Sequence, residues 1–568
     1  MNYPRNIYSQ FNDEKLQQVR THPYYAAVRE ATIKKADELL ESEPPRIKFS
    51  KIHLYATTGN RAIYENDYFH YFERMNTLFV AYLITDDEKY LPELTDTLWN
   101  ILNFESWTLP AHISETATIE KRRRFLALFS TRAGRDIAEI IYYIGDKLPE
   151  LVTRRARAEV KYRLIDYFAE NDCPFEHVKH NWAAVCIASV LCTYLYLATD
   201  EEIEAQLPRM MATADRYLDG YAEDCCCSEG VGYWNYGFSN FVIFASMLKD
   251  YTNGKINYFE NPKVKKIAFF PYRVRLSEKD SISFSDGSGI GFKVPRYLAH
   301  FLKSNYPDYP LDDNDIHKGL AGGARPTEPA GSTRGLFWTN PDYAPEKINF
   351  SNEIFENVQW FIHHGKDYAV GAKAGHNDEF HNHNDVGSFI LSKGDVVSFY
   401  DAGAGTYTKK YFAPETRYQN MLCSSRGHSV PIINGEEQRE GNRGICEVYA
   451  LDKNGHFSFD MHKAYVIDTL SSLKREFNCN DEYFTLTDTY EFTEAPTEIV
   501  ERFVSREPIT FEDGVIKSGN STLVFDTDLF EVKIGKLQAQ LESEKTINHV
   551  DLIPKILDKN ISFTFKFI

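Results

Sequence analysis

From residue 12 to about residue 262, apolar side chains recur at spacings of three and four. Phe69 to Leu83, Phe125 to Ile144 and Trp182 to Leu197 each present one apolar face at that spacing and read as helices. Polar turns such as Thr85-Asp86-Asp87 and Thr199-Asp200 separate the helices and place Asp or Thr to cap the next one. Many helices joined by short turns imply a bundle, a solenoid or an α/α toroid, and the lack of a strict repeat argues against a simple solenoid. Residues 263 to about 345 are transitional. Ser283 to Gly289 reads as a strand-turn, Pro295 to Ser304 as a short helix, and the Pro-, Gly- and Asp-rich stretch 306–332 as a connecting loop. From Val358 onward the period changes to two. Tyr368–Ala372, Phe484–Asp488, Thr522–Phe525 and Ser562–Phe567 have the alternation of an antiparallel β-sandwich. The expected plan is a helical domain with its connecting segment over 1–345 and a β-sandwich over 346–568.

Composition narrows the function classes. With 568 residues, 43% hydrophobic, the chain is long enough for two large domains. A formal net charge of −18 argues against nonspecific nucleic-acid binding and requires any anionic ligand to meet a locally basic or neutral cleft. The polar start Met1-Asn2-Tyr3-Pro4-Arg5 lacks the apolar core of a signal peptide, and no run of about 20 apolar residues reads as a membrane span. The nine cysteines have neither disulfide nor zinc-finger spacing, and Cys225, Cys226 and Cys227 are consecutive. These features read as a cytoplasmic protein with no membrane partner.

The chemistry concentrates in Gly375-His376-Asn377-Asp378-Glu379-Phe380-His381-Asn382-His383-Asn384-Asp385. An apolar run, Val386 to Leu391, follows and reads as a strand entering a core, which puts the polar cluster at its mouth. Along an extended segment His381 and His383 point to one side. Val396–Tyr400 reads as the next strand and ends at Asp401, and Arg426-Gly427-His428-Ser429 precedes the apolar Val430–Ile433. Convergence of His383, Asp401 and His428 would give a ligand set suited to zinc.

His381-Asn382-His383-Asn384-Asp385-Val386-Gly387-Ser388-Phe389, then Asp401-Ala402-Gly403, then Gly427-His428-Ser429, resembles the C-terminal half of the heparinase II/III-like polysaccharide lyases. The resemblance implies an incomplete (α/α) toroid followed by an antiparallel β-sandwich. It implies zinc on His383, Asp401 and His428, mainly fixing the loop, with His381 facing substrate. In the helical half, His180-Asn181-Trp182 opens a helix; capping by Asn181 is the ordinary reading, and the resemblance makes Asn181 the contact to a uronate carboxylate, with His180 beside it. Glu229-Gly230-Val231-Gly232-Tyr233-Trp234-Asn235-Tyr236-Gly237 resembles the family's catalytic tyrosine segment, with Tyr233 catalytic and Tyr236 a substrate neighbour; read on its spacing alone it is an aromatic core stripe. Trp107 and His112 sit in a loop where each either lines a sugar cleft or is, respectively, buried and superficial. Arg417-Tyr418 offers a guanidinium for a carboxylate or sulfate.

The function these matches imply is β-elimination on a uronate glycan, with an anionic oligosaccharide or polysaccharide as partner. Asn181 and His381 would neutralise the carboxylate, His381 alternatively serving as base, and Tyr233 would act as base, acid or both. A cytoplasmic lyase would meet imported oligomers, with Trp107 and Trp234 available for stacking. Three other readings remain: a uronyl C5-epimerase, a zinc hydrolase with Glu379 as base, and a noncatalytic glycan-binding zinc protein.

Overall fold

The computed structural model describes residues 6–287, 289–312, 333–441, 445–538 and 545–568. Met1–Arg5, Ser288 of the expected strand-turn and residues 313–332 of the expected loop lie outside them. The chain forms two compact units: one comprises residues up to Tyr221, Trp234–Ala268 and Val294–Lys347, the other Ala222–Tyr233, Phe269–Lys293 and Ile348–Ile568.

The first unit is helical. Its helix Asn181–Leu197 packs against Leu128–Ile144 and Asp200–Leu218, and Ala62–Thr85 packs against Ala26–Leu40 and Leu91–Leu102. Asn181–Leu197 carries apolar or small residues almost all round and is buried along nearly its whole length, as such a composition requires. The polar turns act as their sequence suggests. Thr199 accepts from Glu202 N while the Glu202 side chain accepts from Thr199 N, a reciprocal cap, and Asp86 closes Ala62–Thr85 in a left-handed conformation. The periodic stretch 125–144 is not one helix. The chain leaves Ile119–Arg124, runs extended through Phe125 and Ala127, and restarts at Leu128, where Ser130 Oγ takes the Ala127 N–H and donates to Phe125 O. Apolar spacing persists across that break because both sides face the same interior. Among the described residues no helix is long and apolar enough to cross a membrane.

The second unit is built of antiparallel sheets. One has five strands in chain order: Glu353–Phe355, Trp360–His364, Tyr368–Lys373, Phe389–Lys393 and Val396–Val397. An eight-stranded sheet centres on Asn560–Phe567, Phe484–Phe492 and Leu470–Cys479, and a four-stranded sheet runs Phe530–Gln538, Thr546–Pro554, Ile499–Ser505, Ile432–Ile433. Inward positions of alternating strands supply an aromatic core around Phe389, Phe399, Phe477, Phe484, Phe503 and Phe567, with Phe484 and Phe567 stacked at 4.7 Å. The expected strand Val386–Leu391 begins only at Phe389. Before it, Gly387 turns at φ +93, where a Cβ would meet Met461 Sδ at 2.5 Å, so the polar cluster ends in a turn and not in the ladder. Similarly the expected strand Val396–Tyr400 is regular only at Val396–Val397; beyond it Ser398 and Phe399 still exchange backbone hydrogen bonds with Leu391, and Phe399 bridges Ser505.

One ion pair ties this core to the polar loops. Arg475 and Asp488 are register partners on the inner face of adjacent strands, both fully buried, joined by bonds of 2.8 and 2.5 Å. The remaining guanidinium nitrogen donates to Gly387 O at 2.8 Å and Ser429 O at 2.9 Å, the residues that follow the histidine cluster and His428. Arg475→Ala would strand a buried carboxylate and free both loops. The expected loss is about 3–5 kcal/mol in equilibrium urea unfolding; an unchanged midpoint would contradict this role.

Candidate active site

The site in the second unit is built around Asp286, a fully buried carboxylate on the turn 283–287. Its Oδ2 accepts from His381 Nδ1 at 2.8 Å and Tyr407 Oη at 3.1 Å, with Arg417 Nη2 at 3.5 Å. Its Oδ1 accepts from His383 Nε2 at 3.0 Å and from Tyr411 Oη. Burial alone would raise this acid. The bonds from His381 and His383, and the charges of His383 and Arg417, outweigh burial and hold it well below the usual carboxylate range.

His381 is not on an extended segment as its spacing suggested. It adopts φ +57, and Asp286 N contacts its carbonyl at 3.4 Å. The left-handed turn still brings His381 and His383 to opposite oxygens of one carboxylate. The His381 ring stacks on Tyr233 with centroids 4.5 Å apart, and Tyr233 Oη lies 3.3 Å from His381 Nδ1 and 2.7 Å from Tyr407 Oη. Tyr233 comes from the first turn of the helix Gly230–Tyr251, entered at Gly230, φ +86, where a Cβ would meet Gly287 Cα at 3.0 Å. The tyrosine turn and the Asp286 turn are thus in direct backbone contact. Burial, with Asp286 and Glu229 adding to it, pushes the Tyr233 phenol well above an ordinary tyrosine, against opposing effects of the Tyr407 bond and Arg417. Glu229 Oε1 stands 3.6 Å from His381 Nε2; burial pushes this acid up to about 7, with Asp286 and Glu379 adding to the effect and His381 opposing it.

His383, Asp401 and His428 converge as expected from their segments, all 0–1% exposed. His428 Nδ1 is 3.4 Å from Asp401 Oδ2, and His383 Nδ1 is 3.9 Å from Asp401 Oδ1. The other nitrogens are engaged, His383 Nε2 with Asp286 and His428 Nε2 with Leu422 O. The two Nδ1 atoms and Asp401 Oδ2 have no hydrogen-bond partner although buried, a costly arrangement that a cation between them would relieve. Burial would lower the His383 pKa, yet Cys423, Asp286 and Asp401 push it up to about 10, so this pocket draws positive charge, as a second proton or as a metal. The residues therefore fit a zinc ion. Asp286, His383 and Cys423 also cluster at ligand distance, but Asp286 is already saturated by its donors, which favours the Asp401–His428 side. Glu379, the base a zinc hydrolase would need, is paired with His376 at 3.6 Å.

Other expected site residues lie elsewhere. Arg417 is buried: Nε and Nη2 donate to Asn382 O and the guanidinium covers the Tyr411 ring, so it braces the site internally and does not present a free cation to a ligand. Tyr418 beside it is half-buried. The remainder belong to the helical unit. Asn181 is buried at the first position of its helix, but the cap is His180, whose Nδ1 accepts from Trp182 N at 3.4 Å. Tyr236, one turn beyond Tyr233, is half-buried; at the next residue, Gly237, a Cβ would come within 3.2 Å of Asn181 Cβ. Trp107 and Trp234 are core residues and cannot stack on a sugar: each is at most 1% exposed, with its indole N–H donated to Ile101 O and Ile267 O respectively. His112 is no surface histidine, being pushed down to about 4 by burial and wedged against Trp182 and Phe129. Asp286, Tyr407, Tyr411 and Glu229 were not singled out from sequence. The acid in the Gly-rich turn 283–289 and the tyrosines four apart at 407 and 411 were the available signals.

Residues 353–521 match the family described as heparinase II/III-like, C-terminal, in agreement with the resemblance carried by the histidine cluster. Over nearly the whole chain the structure is similar to a heparan sulfate lyase mutant from Pedobacter heparinus (TM-score 0.59, 11% identity, covering 99% of this chain and 91% of that one). It is similar also to heparinase III (0.61, 12%, covering 98% and 91%) and to the Streptomyces coelicolor A3 chondroitin AC lyase in complex with chondroitin sulphate (0.57, 8%, covering 98% and 82%). At these identities the likeness is one of fold, a helical toroid followed by antiparallel β-sheets; it agrees with the class the resemblance implied and with the helix-then-strand order of the two hydrophobic periods. No curated protein matches the chain by sequence.

The raised Glu229 acid predicts a pH signature. Its folded value of about 7 lies above the ordinary 4.5, so the stability it contributes is complete below about pH 4.5 and is lost as pH rises to about 7. Glu229→Gln, which cannot ionise, should gain on wild type across that window by about 3 kcal/mol at most, and no further above it. Chemical unfolding of both proteins at several pH values checks this; parallel stability curves would contradict it.

Proposed function

We propose that this protein is a polysaccharide lyase that cleaves uronate-containing glycans by β-elimination. The observation that carries the reading is the Tyr233–His381 pair, stacked and hydrogen-bonded over the buried Asp286 carboxylate. Elimination requires a base for the proton on C5, alpha to the uronate carboxylate, and an acid for the departing glycosidic oxygen. Asp286 can only accept, so the His381 nitrogen facing it is Nδ1–H and the lone pair of the neutral ring is on Nε2. His381 Nε2 then takes the C5 proton. The electron pair left behind forms the C4–C5 double bond as the C4–O bond breaks, and Tyr233 Oη gives its proton to the oxygen. A phenol raised by burial suits the acid half of that exchange and opposes the phenolate base that the sequence also allowed. Asn181 and Tyr236 enter this proposal through the resemblance alone.

Zinc held by His383, Asp401 and His428 would supply a fixed loop under His381; the chemistry is carried by the side chains above it. The expected content is one zinc per chain by elemental analysis, absent from His383→Ala. Equal zinc in both proteins would remove the assignment.

The test of activity is near-ultraviolet absorbance on a panel of uronate polysaccharides and oligosaccharides. A lyase produces an absorbing unsaturated uronate, an epimerase returns the proton without it, and a binding protein leaves the glycan intact. Tyr233→Phe keeps the ring stack and should lower kcat by roughly 10²-fold or more with little change in KM; full activity would move the acid to another group. The acidic charge of −18 further supports short oligomers as substrates, since repulsion accumulates along a long polyanion. Initial rates at fixed bond concentration should therefore fall with chain length, most steeply at low salt; a preference for polymer at every salt concentration would contradict this.

A further inference from the structure

The proposed base has a polar neighbour that the reaction as written does not use. Around the His381 ring, Tyr233 stacks at 4.5 Å, Tyr407 lies nearly parallel at 6.0 Å, Phe412 meets it edge-on and Asp286 holds Nδ1. At Nε2, the atom assigned to the C5 proton, the neighbour is Glu229, with Oε1 3.6 Å away. That is too long for a hydrogen bond, so Nε2 is not capped at rest. Glu229 precedes the helix Gly230–Tyr251 by one residue and is buried but not sealed, 8% exposed. Among the described residues its carboxyl group takes part in no hydrogen bond. The groups that face it are the His381 imidazole, the Asp286 and Glu379 carboxylates and the Tyr233 phenol, none of them a permanent cation. Asp286 and Glu229 therefore divide the roles of a carboxyl pair. Asp286 has donors on both oxygens and stays ionised, while Glu229, with burial and two acids against its charge, keeps its proton up to about 7.

We infer that the Glu229 carboxyl group, as a neutral hydrogen-bond donor, meets the substrate carboxylate during elimination. The inference rests on the lyase reading above and deepens it. For the transfer, C5 must come within about 3–3.5 Å of His381 Nε2. The substrate carboxylate is bonded directly to C5, so it arrives beside the same nitrogen, where Glu229 stands. Two carboxylates that close cannot both be ionised. With its proton in place, Glu229 gives a short, charge-assisted O–H···O⁻ bond. That bond tightens as the electron pair freed at C5 spreads onto the carboxylate oxygens, before the C4–O bond breaks. The Glu229 proton is shared and not transferred. The C5 proton still goes to His381 Nε2 and the Tyr233 proton to the departing oxygen. An ionised Glu229 would instead repel the substrate, so the working form of the site is the one below about pH 7.

The experiment uses the full chain and tetrasaccharides containing glucuronate, iduronate or mannuronate. Proton uptake on binding is measured by calorimetry at pH 8 in buffers of different ionisation enthalpy. The tightest binder should draw about one proton into wild type and none into Glu229→Gln. On any tetrasaccharide that is cleaved, wild-type kcat/KM should fall above about pH 7, approaching tenfold per pH unit. Tyr233, raised well above an ordinary tyrosine, does not contribute to that fall. Glu229→Gln, whose amide N–H also donates, should turn over more slowly but without the alkaline fall. Glu229→Ala should lose roughly 10²-fold in kcat with little change in KM. A merely structural role would lower the folded fraction and leave the pH profile where it was. Proton uptake that persists in Glu229→Gln, an alkaline fall at the same pH in that variant, or wild-type kcat in Glu229→Ala would overturn the inference. If Glu229→Ala fails to fold, the calorimetry of Glu229→Gln decides. Cleavage without these signatures ends the inference alone, whereas failure of all three sugars to bind ends it together with the lyase reading.

Discussion

The Asp286 carboxylate is the constraint on which the rest of the site depends. A buried carboxylate is tolerated only when its lone pairs are taken up, and here five donors from three side-chain types do so. The cost of losing any donor is therefore shared by the loop carrying His381 and His383 and by the segment 407–417. More is fixed than position. The carboxylate has no proton to give, so the ring nitrogens facing it must carry theirs. What remains is His381 Nε2 on one side and His383 Nδ1 on the other, the first turned toward Glu229 and the second toward Asp401. One acid thus sets two tautomers, and with them which nitrogen can meet a sugar and which can meet a metal.

The same arrangement changes how an anionic ligand would be accommodated. The net charge called for a locally basic or neutral cleft, and the cations nearest this site are already committed. Arg417 is held by Asp286 and the Asn382 carbonyl, and Lys373 by Asp385. Tyr233 lies among Asp286 and Glu229, both of which oppose its ionisation. Phenol donors such as Tyr233 are what these residues leave, since the His381 Nδ1–H is given to Asp286. Under the proposed reaction, directional hydrogen bonds rather than net positive charge would quiet the substrate carboxylate here, which fits chemistry that must protonate a leaving oxygen more readily than it fits tight binding of a polysulfated chain.

The fold class was legible because its two halves obey different periods, and a change from 3.6 to 2 is visible without tertiary information. The candidate metal residues were legible because His383 shares a cluster with His381, and Asp401 and His428 flank the neighbouring apolar segments. Asp286 was not: in sequence it is one acid in a Ser- and Gly-rich turn, and its importance arises only when five side chains from another part of the chain converge on it. Tyr407 and Tyr411 were hidden for the same reason. The tryptophans show the converse failure. Trp107 and Trp234 look like sugar platforms by type, yet each donates its indole N–H to a backbone carbonyl in the core. Residue type reports what a ring can do, while burial decides whether it does so. The reading of His381 and His383 as neighbours on an extended strand failed locally, because His381 is left-handed, but still identified two rings with a common partner.

The segment matching the heparinase II/III-like family begins at residue 353, and Asp286, Glu229 and Tyr233 all precede it. They nevertheless belong to the same compact unit as the sheets, through the short segments Ala222–Tyr233 and Phe269–Lys293. Without those two segments His381 would lack both its carboxylate partner and the Tyr233 ring, and His383 would have an unpaired Nε2. Gly230 and Gly287 explain how those two segments reach the cluster together, since their backbones touch where any side chain would separate them. The chemistry of this unit is accordingly written in three pieces of chain. The longest of them contributes the candidate metal ligands and the candidate base, and the two short ones contribute the candidate acid and the carboxylate that orients the base.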